Sequence, residues 1–280
     1  MKDIAVLLTV HNRKDKTLAC LSQLFDQEIP EKYRFEVFLT DDGCIDGTPE
    51  AIKSHFPEVH IIQGDGNLYW NRGMYTAWEA ASQTKDYDYF LWLNDDTFVY
   101  QNMLKCLLDI SIQKNNRAII VGPTQSSDHK SHTYGGRITQ SELAPVDGML
   151  HQIITFNGNI VLVPQHVYKI LGNLDPYYHH SWGDLDYGYR ARKLGVEMFQ
   201  VGVYLGECNR HEELPRWCNP DVPLKDRIAN LKKPTQYKPS EMFHFEKKHY
   251  DFFTACYHYL TIYLRCIFPQ IWIKIGKAKI

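Results

Sequence analysis

Apolar residues in this chain come in short runs that end on polar or acidic turns. Residues 4–10 run apolar into His11-Asn12-Arg13, residues 35–39 into Asp41-Asp42-Gly43, and residues 89–93 into Asn94-Asp95-Asp96. Residues 59–62 and 118–122 are two further runs of strand length. Between them, Leu18, Leu21, Leu24 and Phe25 recur at helical spacing, and residues 49–56, 73–82 and 104–112 read as helices. Strands alternating with helices predict an α/β fold, with a mostly parallel sheet flanked by helices. Such sheets bind ligands beyond the carboxyl ends of their strands. Three successive strand ends here carry polar or acidic side chains.

The pattern loosens over residues 123–150, where Gly135-Gly136, Pro145 and Gly148 suggest a loop or hairpin excursion. It resumes with a strand at 159–163, helices at 164–171 and 184–194, and a last strand at 196–201. Gly195 stops the second of those helices. Residues 212–240 carry several prolines and charges and read as loop. The tail, 241–280, holds three acids against six Lys and Arg, a net charge of +3. Its stretch 252–273 is apolar but interrupted by His258, Arg265 and Pro269. A membrane-spanning helix needs about 20 mostly apolar residues, so the tail suits a helix lying on a membrane surface. A helix packed on the rest of the chain or in a homodimer is the other reading.

Composition narrows the function. A formal net charge of −2 gives no global field for nucleic acid. Seven scattered cysteines without a C-x-x-C pair argue against a disulfide framework or a structural zinc. Reduced thiols in the cytosol are the simplest account. Residues 1–8 are too short for a signal h-region and precede a polar stretch, so the expected location is cytoplasmic, peripheral at the inner face of the plasma membrane if the tail binds lipid.

Carboxylates in a short turn after a strand suit a hard divalent cation, Mn2+ or Mg2+, held through one or two acids and substrate phosphates. A plain turn or helix cap uses the same residues. Asp41 and Asp42 can accept hydrogen bonds from a nucleobase or ribose, or serve a glycine-rich turn in which Asp46 caps the next helix. Gly64-Asp65-Gly66-Asn67 through Asn71-Arg72-Gly73 offers glycines, amides and a cation before a helix, an arrangement able to approach a diphosphate.

Taken in order, these elements resemble the family 2 inverting glycosyltransferases of the GT-A fold. Leu8-Thr9-Val10-His11-Asn12-Arg13, Asp41 through Thr48, Gly66-Asn67 with Asn71-Arg72-Gly73, and Leu93 through Thr97 carry the resemblance. Leu171 through Asp175 and Trp182-Gly183-Asp184 through Arg190 extend it, so that it covers about residues 3–212. The resemblance implies a GT-A catalytic domain over 1–212, its nucleotide-sugar part at about 1–122 and its acceptor part at about 123–212. A linker and helical C-terminal extension then fill 213–280.

The implied roles follow position by position. Thr9, His11, Arg13, Asp41 and Asp42 lie at the nucleotide end, and Asn67, Asn71 and Arg72 face the donor diphosphate. Asp96 matches the last acid of the family's D-x-D and implies a metal ligand; Asn94 stands in place of the first acid, and Asp95 faces ribose or sugar. Asp184 matches the catalytic base; Asp186 is the runner-up, better read as an acid favoured at a helix start; Gly183, on the acceptor side, stands where the family has Glu. His211 is placed to join the metal shell. Trp182 either stacks on an acceptor sugar or packs in a core.

The function implied is transfer, with inversion, from a nucleotide-sugar to a saccharide or lipid-linked saccharide in surface polysaccharide synthesis. UDP-sugars are the usual donors; dTDP-rhamnose is a competitor. A nucleotide-sugar-binding protein that lost catalysis is the reading outside enzymes, since Asn94 and Gly183 replace acids. A nucleotidyltransferase would carry a glycine-rich loop directly after its first strand, and Val10-His11-Asn12-Arg13 has no glycine.

Overall fold

The computed structural model describes residues 1–210 and 214–274, which form two compact units. The first comprises residues 1–176 and 184–210. Its opening half runs β1 (Lys2–Val10), α1 (Lys14–Phe25), β2 (Tyr33–Asp41), α2 (Thr48–His55), β3 (His60–Gln63), α3 (Tyr69–Thr84) and β4 (Tyr89–Leu93). Then come β5 (Phe98–Val99), α4 (Met103–Gln113), β6 (Ile119–Val121), β7 (Thr124–Gln125), β8 (His132–Tyr134) and β9 (Gly136–Arg137). β10 (His151–Gln152), β11 (Thr155–Phe156), β12 (Ile160–Pro164), α5 (Gln165–Leu171), α6 (Gly183–Lys193), β13 (Met198–Gln200) and β14 (Gly206–Glu207) complete it.

Among the described residues the main sheet has the order β10-β13-β6-β12-β4-β1-β2-β3. β1 pairs in parallel with β2 on one side, Leu8 opposite Leu39, and with β4 on the other, Val6 opposite Leu91. β12 enters antiparallel between β4 and β6. Alternate residues of β1 serve opposite faces. Ile4, Val6, Leu8 and Val10 join the apolar layer of α1 and α4, while Ala5 and Leu7 join that of α3 with Met74, Trp78 and Trp92. Burial on both faces is why these strands read as unbroken apolar runs rather than alternating ones. The chain runs outward from β1 to β2 and β3, then returns to the far side of β1 as β4. That reversal opens a crevice at the carboxyl ends of β1 and β4.

α3 lies close on the sheet because Gly73 allows it. A Cβ there would stand 2.1 Å from Thr9 Oγ1, and the Gly73 carbonyl accepts a hydrogen bond from Thr40 Oγ1 at 2.8 Å. β5, β14, β7 and β8 make a second small sheet, and β9 pairs with β11.

Of the described residues, the second unit comprises 177–183 and 214–274. It contains a 3-10 turn (Arg216–Cys218), α7 (Leu224–Leu231), α8 (Pro239–His249), α9 (Phe252–Ile267) and α10 (Pro269–Lys274). The expectation of a loop over 212–240 is corrected by the 3-10 turn and α7. Pro215 and Pro223 stand immediately before these elements, where a missing amide costs nothing. These prolines open helices rather than break them. Trp217, Leu231, Met242, Ile262 and Cys266 form the unit's core. All seven cysteines are free thiols.

Candidate active site

The carboxyl end of β2 is a framework built by its own acids. Asp41 Oδ1 accepts the Cys44 amide at 2.8 Å. Asp42 is buried and accepts three amides, those of Gly66 at 2.9 Å and Leu68 at 3.1 Å on Oδ1 and Tyr69 at 2.8 Å on Oδ2. Its carboxylate thereby fixes the loop leading into α3. Gly66 makes the turn possible with a φ of +81°. Asp46 joins two helix starts, accepting from Thr48 N at 3.1 Å and from Lys14 N at 3.0 Å. His11 Nδ1 donates to the Asp42 carbonyl at 2.6 Å, leaving Nε2 to accept from Asn12 at 3.0 Å.

Thr9 is buried beneath Gly73, and Asn67 is exposed on the loop, its amide donating to Asp65 Oδ1 at 2.8 Å. Asn71 Nδ2 donates to the Asp175 carbonyl at 2.8 Å and Arg72 Nε to the Pro176 carbonyl at 2.9 Å. These two side chains therefore grip the segment after α5.

Across the crevice, Arg13 from the end of β1 spans the acids that follow β4. Its Nη1 donates to Asp95 Oδ1 at 3.1 Å and to Asp96 Oδ2 at 2.8 Å. Asp95 is buried, and burial pushes its carboxyl up to about 7 against the pull of Arg13. Asp96 is the more open of the two. Cys208 directs its thiol at Asp96 Oδ1 across 3.9 Å; burial raises that thiol to about 12, so it keeps its proton.

Asn94 is held differently. Its Oδ1 accepts the indole N–H of Trp70 at 2.7 Å, and its amide donates to the Asn159 carbonyl at 3.2 Å. The ring of Trp70 covers Gly158 so closely that a Cβ on that glycine would stand 2.6 Å from it. The Gly158 amide in turn donates to Asp184 Oδ2 at 3.1 Å, while Asp184 Oδ1 accepts the Leu185 amide at 2.8 Å. A continuous path of contacts thus runs from the turn at 94–96 through Trp70 and residues 157–159 to Asp184.

Asp184 is half-buried at the start of α6, and burial raises its carboxyl above the usual range; the Leu185 and Gly158 amides and Arg137 oppose the shift. Arg137, on β9, is depressed by burial and by Arg210, while Asp184 draws it the other way. Asp186 is fully buried and paired with Arg190 Nε at 2.8 Å, which makes it a structural acid. Arg190 also donates to the carbonyls of Leu171 and Asn173, at 2.6 and 2.9 Å.

Trp182 and Gly183 belong to the second unit. There the Trp182 ring packs 5.2 Å from Tyr237 and 5.1 Å from Phe245, and its Nε1 donates to the Tyr237 carbonyl at 3.3 Å. His211 lies outside the described residues. Among the described residues no cluster of three or more His, Cys, Asp or Glu is arranged to hold a metal. Sequence reasoning missed Trp70, Arg137, Gly158 and Cys208. An aromatic directly before Asn71-Arg72, and glycines at Gly135-Gly136-Arg137 and Asn157-Gly158-Asn159, were the signals that could have found three of them.

A family model described as glycosyl transferase family 2 matches residues 5–166, more than half of the chain. No curated protein matches in sequence. Among solved structures, GalNAc-T7 with UDP, GalNAc and Mn2+ superposes with a TM-score of 0.57 at 14% identity, over 89% of this chain and 54% of that one. The chain therefore spans about half the length of GalNAc-T7. Residues 1–349 of S. aureus TarS superpose at 0.55 and 12% identity, over 89% of this chain and 73% of that one. The TarS complex with UDP-GlcNAc gives 0.55 and 12% over 90% and 73%. These likenesses establish the GT-A fold. By its family match, its sheet and its acid-lined crevice, the chain belongs to glycosyl transferase family 2.

Proposed function

We propose that the protein transfers a sugar from a UDP-sugar to a hydroxyl of a saccharide or lipid-linked saccharide, with inversion, and that Asp184 is the general base. The observation that carries this reading is the path joining Asp184 to the acidic turn through Gly158, Trp70 and Asn94. It ties the carboxylate that takes a proton to the turn that faces the leaving group. Inversion requires one direct displacement, so a single base must sit opposite the departing diphosphate. Asp184 suits that role, because two backbone amides orient it and burial raises its basicity.

At the donor end, Arg13 holds Asp95 and Asp96 together, and Asp96 is the carboxylate open enough to serve a cation. The donor set fits Mn2+ or Mg2+ only as a site completed by phosphate oxygens, one acid being typical for such ions. When bound, the ion supplies charge neutralisation to the leaving diphosphate. UDP-sugars are favoured as donors because structures of similar fold were solved with UDP or UDP-GlcNAc. The test is a panel of nucleotide-sugars with and without chelator, on the wild type and Asp184→Asn. Donor-dependent turnover lost in Asp184→Asn supports the reading. Donor binding without turnover for every donor and acceptor would overturn it.

A further inference from the structure

α9 presents two faces of opposite character. Asp251 caps its start, accepting from Thr254 N at 2.9 Å. One face buries Ala255, Ile262 and Cys266 in the unit's core, and His258 pairs with Glu246 at 2.7 Å beside it. The other face carries Phe253, Tyr257, Leu260 and Leu264, which are 82%, 65%, 66% and 48% exposed. Phe268, between the two helices, and Ile271, in α10, are also exposed, at 52% and 56%. Within α9, steps of three and four residues place Phe253, Tyr257, Leu260 and Leu264 in one stripe. So much contiguous apolar surface on a water-facing helix marks an interaction site.

Charge identifies what covers it. Lys247 and Lys248 in the last turn of α8 and Lys274 in the last turn of α10 are exposed cations before and after the stripe, and residues 252–274 hold no acid. Two copies meeting along the stripe would face cation with cation, whereas helix pairs draw on opposite charges beside their seam. Anionic lipid headgroups supply the charge the chain lacks. Phenylalanine and leucine suit the acyl boundary, and tyrosine suits the headgroup level. Among the described residues no helix is long and apolar enough to cross a membrane. We therefore propose that the exposed stripe of α9 docks the protein flat onto an anionic lipid surface. The proposal is independent of the transferase reading.

The experiment is co-sedimentation of the full chain with vesicles of phosphatidylcholine alone and of phosphatidylcholine mixed equally with phosphatidylglycerol, without donor or acceptor. Partition onto the mixed vesicles is expected to exceed that onto the neutral ones at least about tenfold, and to fall at high salt. Leu260→Glu with Leu264→Glu, both exposed, should cut it about tenfold or more at unchanged circular dichroism and thermal midpoint. Equal partition onto both vesicles, or undiminished binding of the double variant, would overturn the proposal. So would a dimer in sedimentation velocity that the double variant returns to monomer without any vesicle binding, which gives the face to a second copy.

Discussion

Trp70 donates its indole N–H to Asn94 Oδ1 at 2.7 Å, in the turn where family 2 enzymes commonly place an acid. The same ring rests on Gly158, whose amide holds Asp184. Trp70→Phe keeps most of the ring and removes the donor, leaving Asn94 Oδ1 short of a partner at a cost of about 1–3 kcal/mol. We expect kcat to fall about tenfold with donor KM little changed, measured by steady-state transfer. An unchanged kcat would mean the contact only packs.

Asp184→Asn removes the proposed base but keeps the shape and one amide contact. Transfer should drop by about 100-fold or more, while donor binding by calorimetry stays close to wild type. Asp186→Asn should instead lower the thermal midpoint, because Asp186 is buried against Arg190. Retained transfer in Asp184→Asn with loss in Asp186→Asn would exchange the two roles.

The pH profile follows from the sign of the shift. The proposed base works ionised, so activity is expected above its pKa and lost as pH falls through it. Burial raises the Asp184 carboxyl, which puts the acid limb of kcat/KM above the ordinary aspartate value of about 3.9. Arg137 opposes that rise, so Arg137→Ala should move the limb to higher pH. Asp95, pushed up to about 7 by burial, is a second raised carboxyl of the crevice, and Asp95→Asn is the control. A limb that persists in Asp95→Asn belongs to Asp184.

Gly73→Ala tests the packing of α3 on the sheet. The added methyl would meet Thr9 Oγ1 at 2.1 Å, and relief requires the helix or strand to move. Overpacking of this kind costs about 1–3 kcal/mol, read as a lower urea midpoint at unchanged slope. Thr9→Ala in the same chain should recover part of the loss.

The alternating half of the fold was legible because β1, β2 and β4 are buried on both faces, so each stands out as an apolar run. β5, β7 and β14 span two residues each, too short for any periodicity to register. α7 was hidden by prolines that stand at its threshold. Within the site, the positions of Asp42, Asp96 and Asp184 at element ends could be read from order alone. What occupies their oxygens could not. The three amides on Asp42 come from a loop shaped by Gly66, and the contact of Trp70 with Gly158 joins residues far apart in the chain. Asn71 and Arg72 suit a diphosphate because amides and cations before a helix suit anions; that each also donates to a carbonyl, of Asp175 and of Pro176, could not be read from order.

Gly158 has a consequence for how such a protein can lose its activity over time. It bears no charge and belongs to none of the motifs, yet its missing side chain is what lets the indole settle. A drift such as Gly158→Ala would displace Trp70 while leaving every acid of the crevice in place. A descendant altered in this way would still look intact to anyone comparing motifs, and its silence would be written in a residue that does no chemistry.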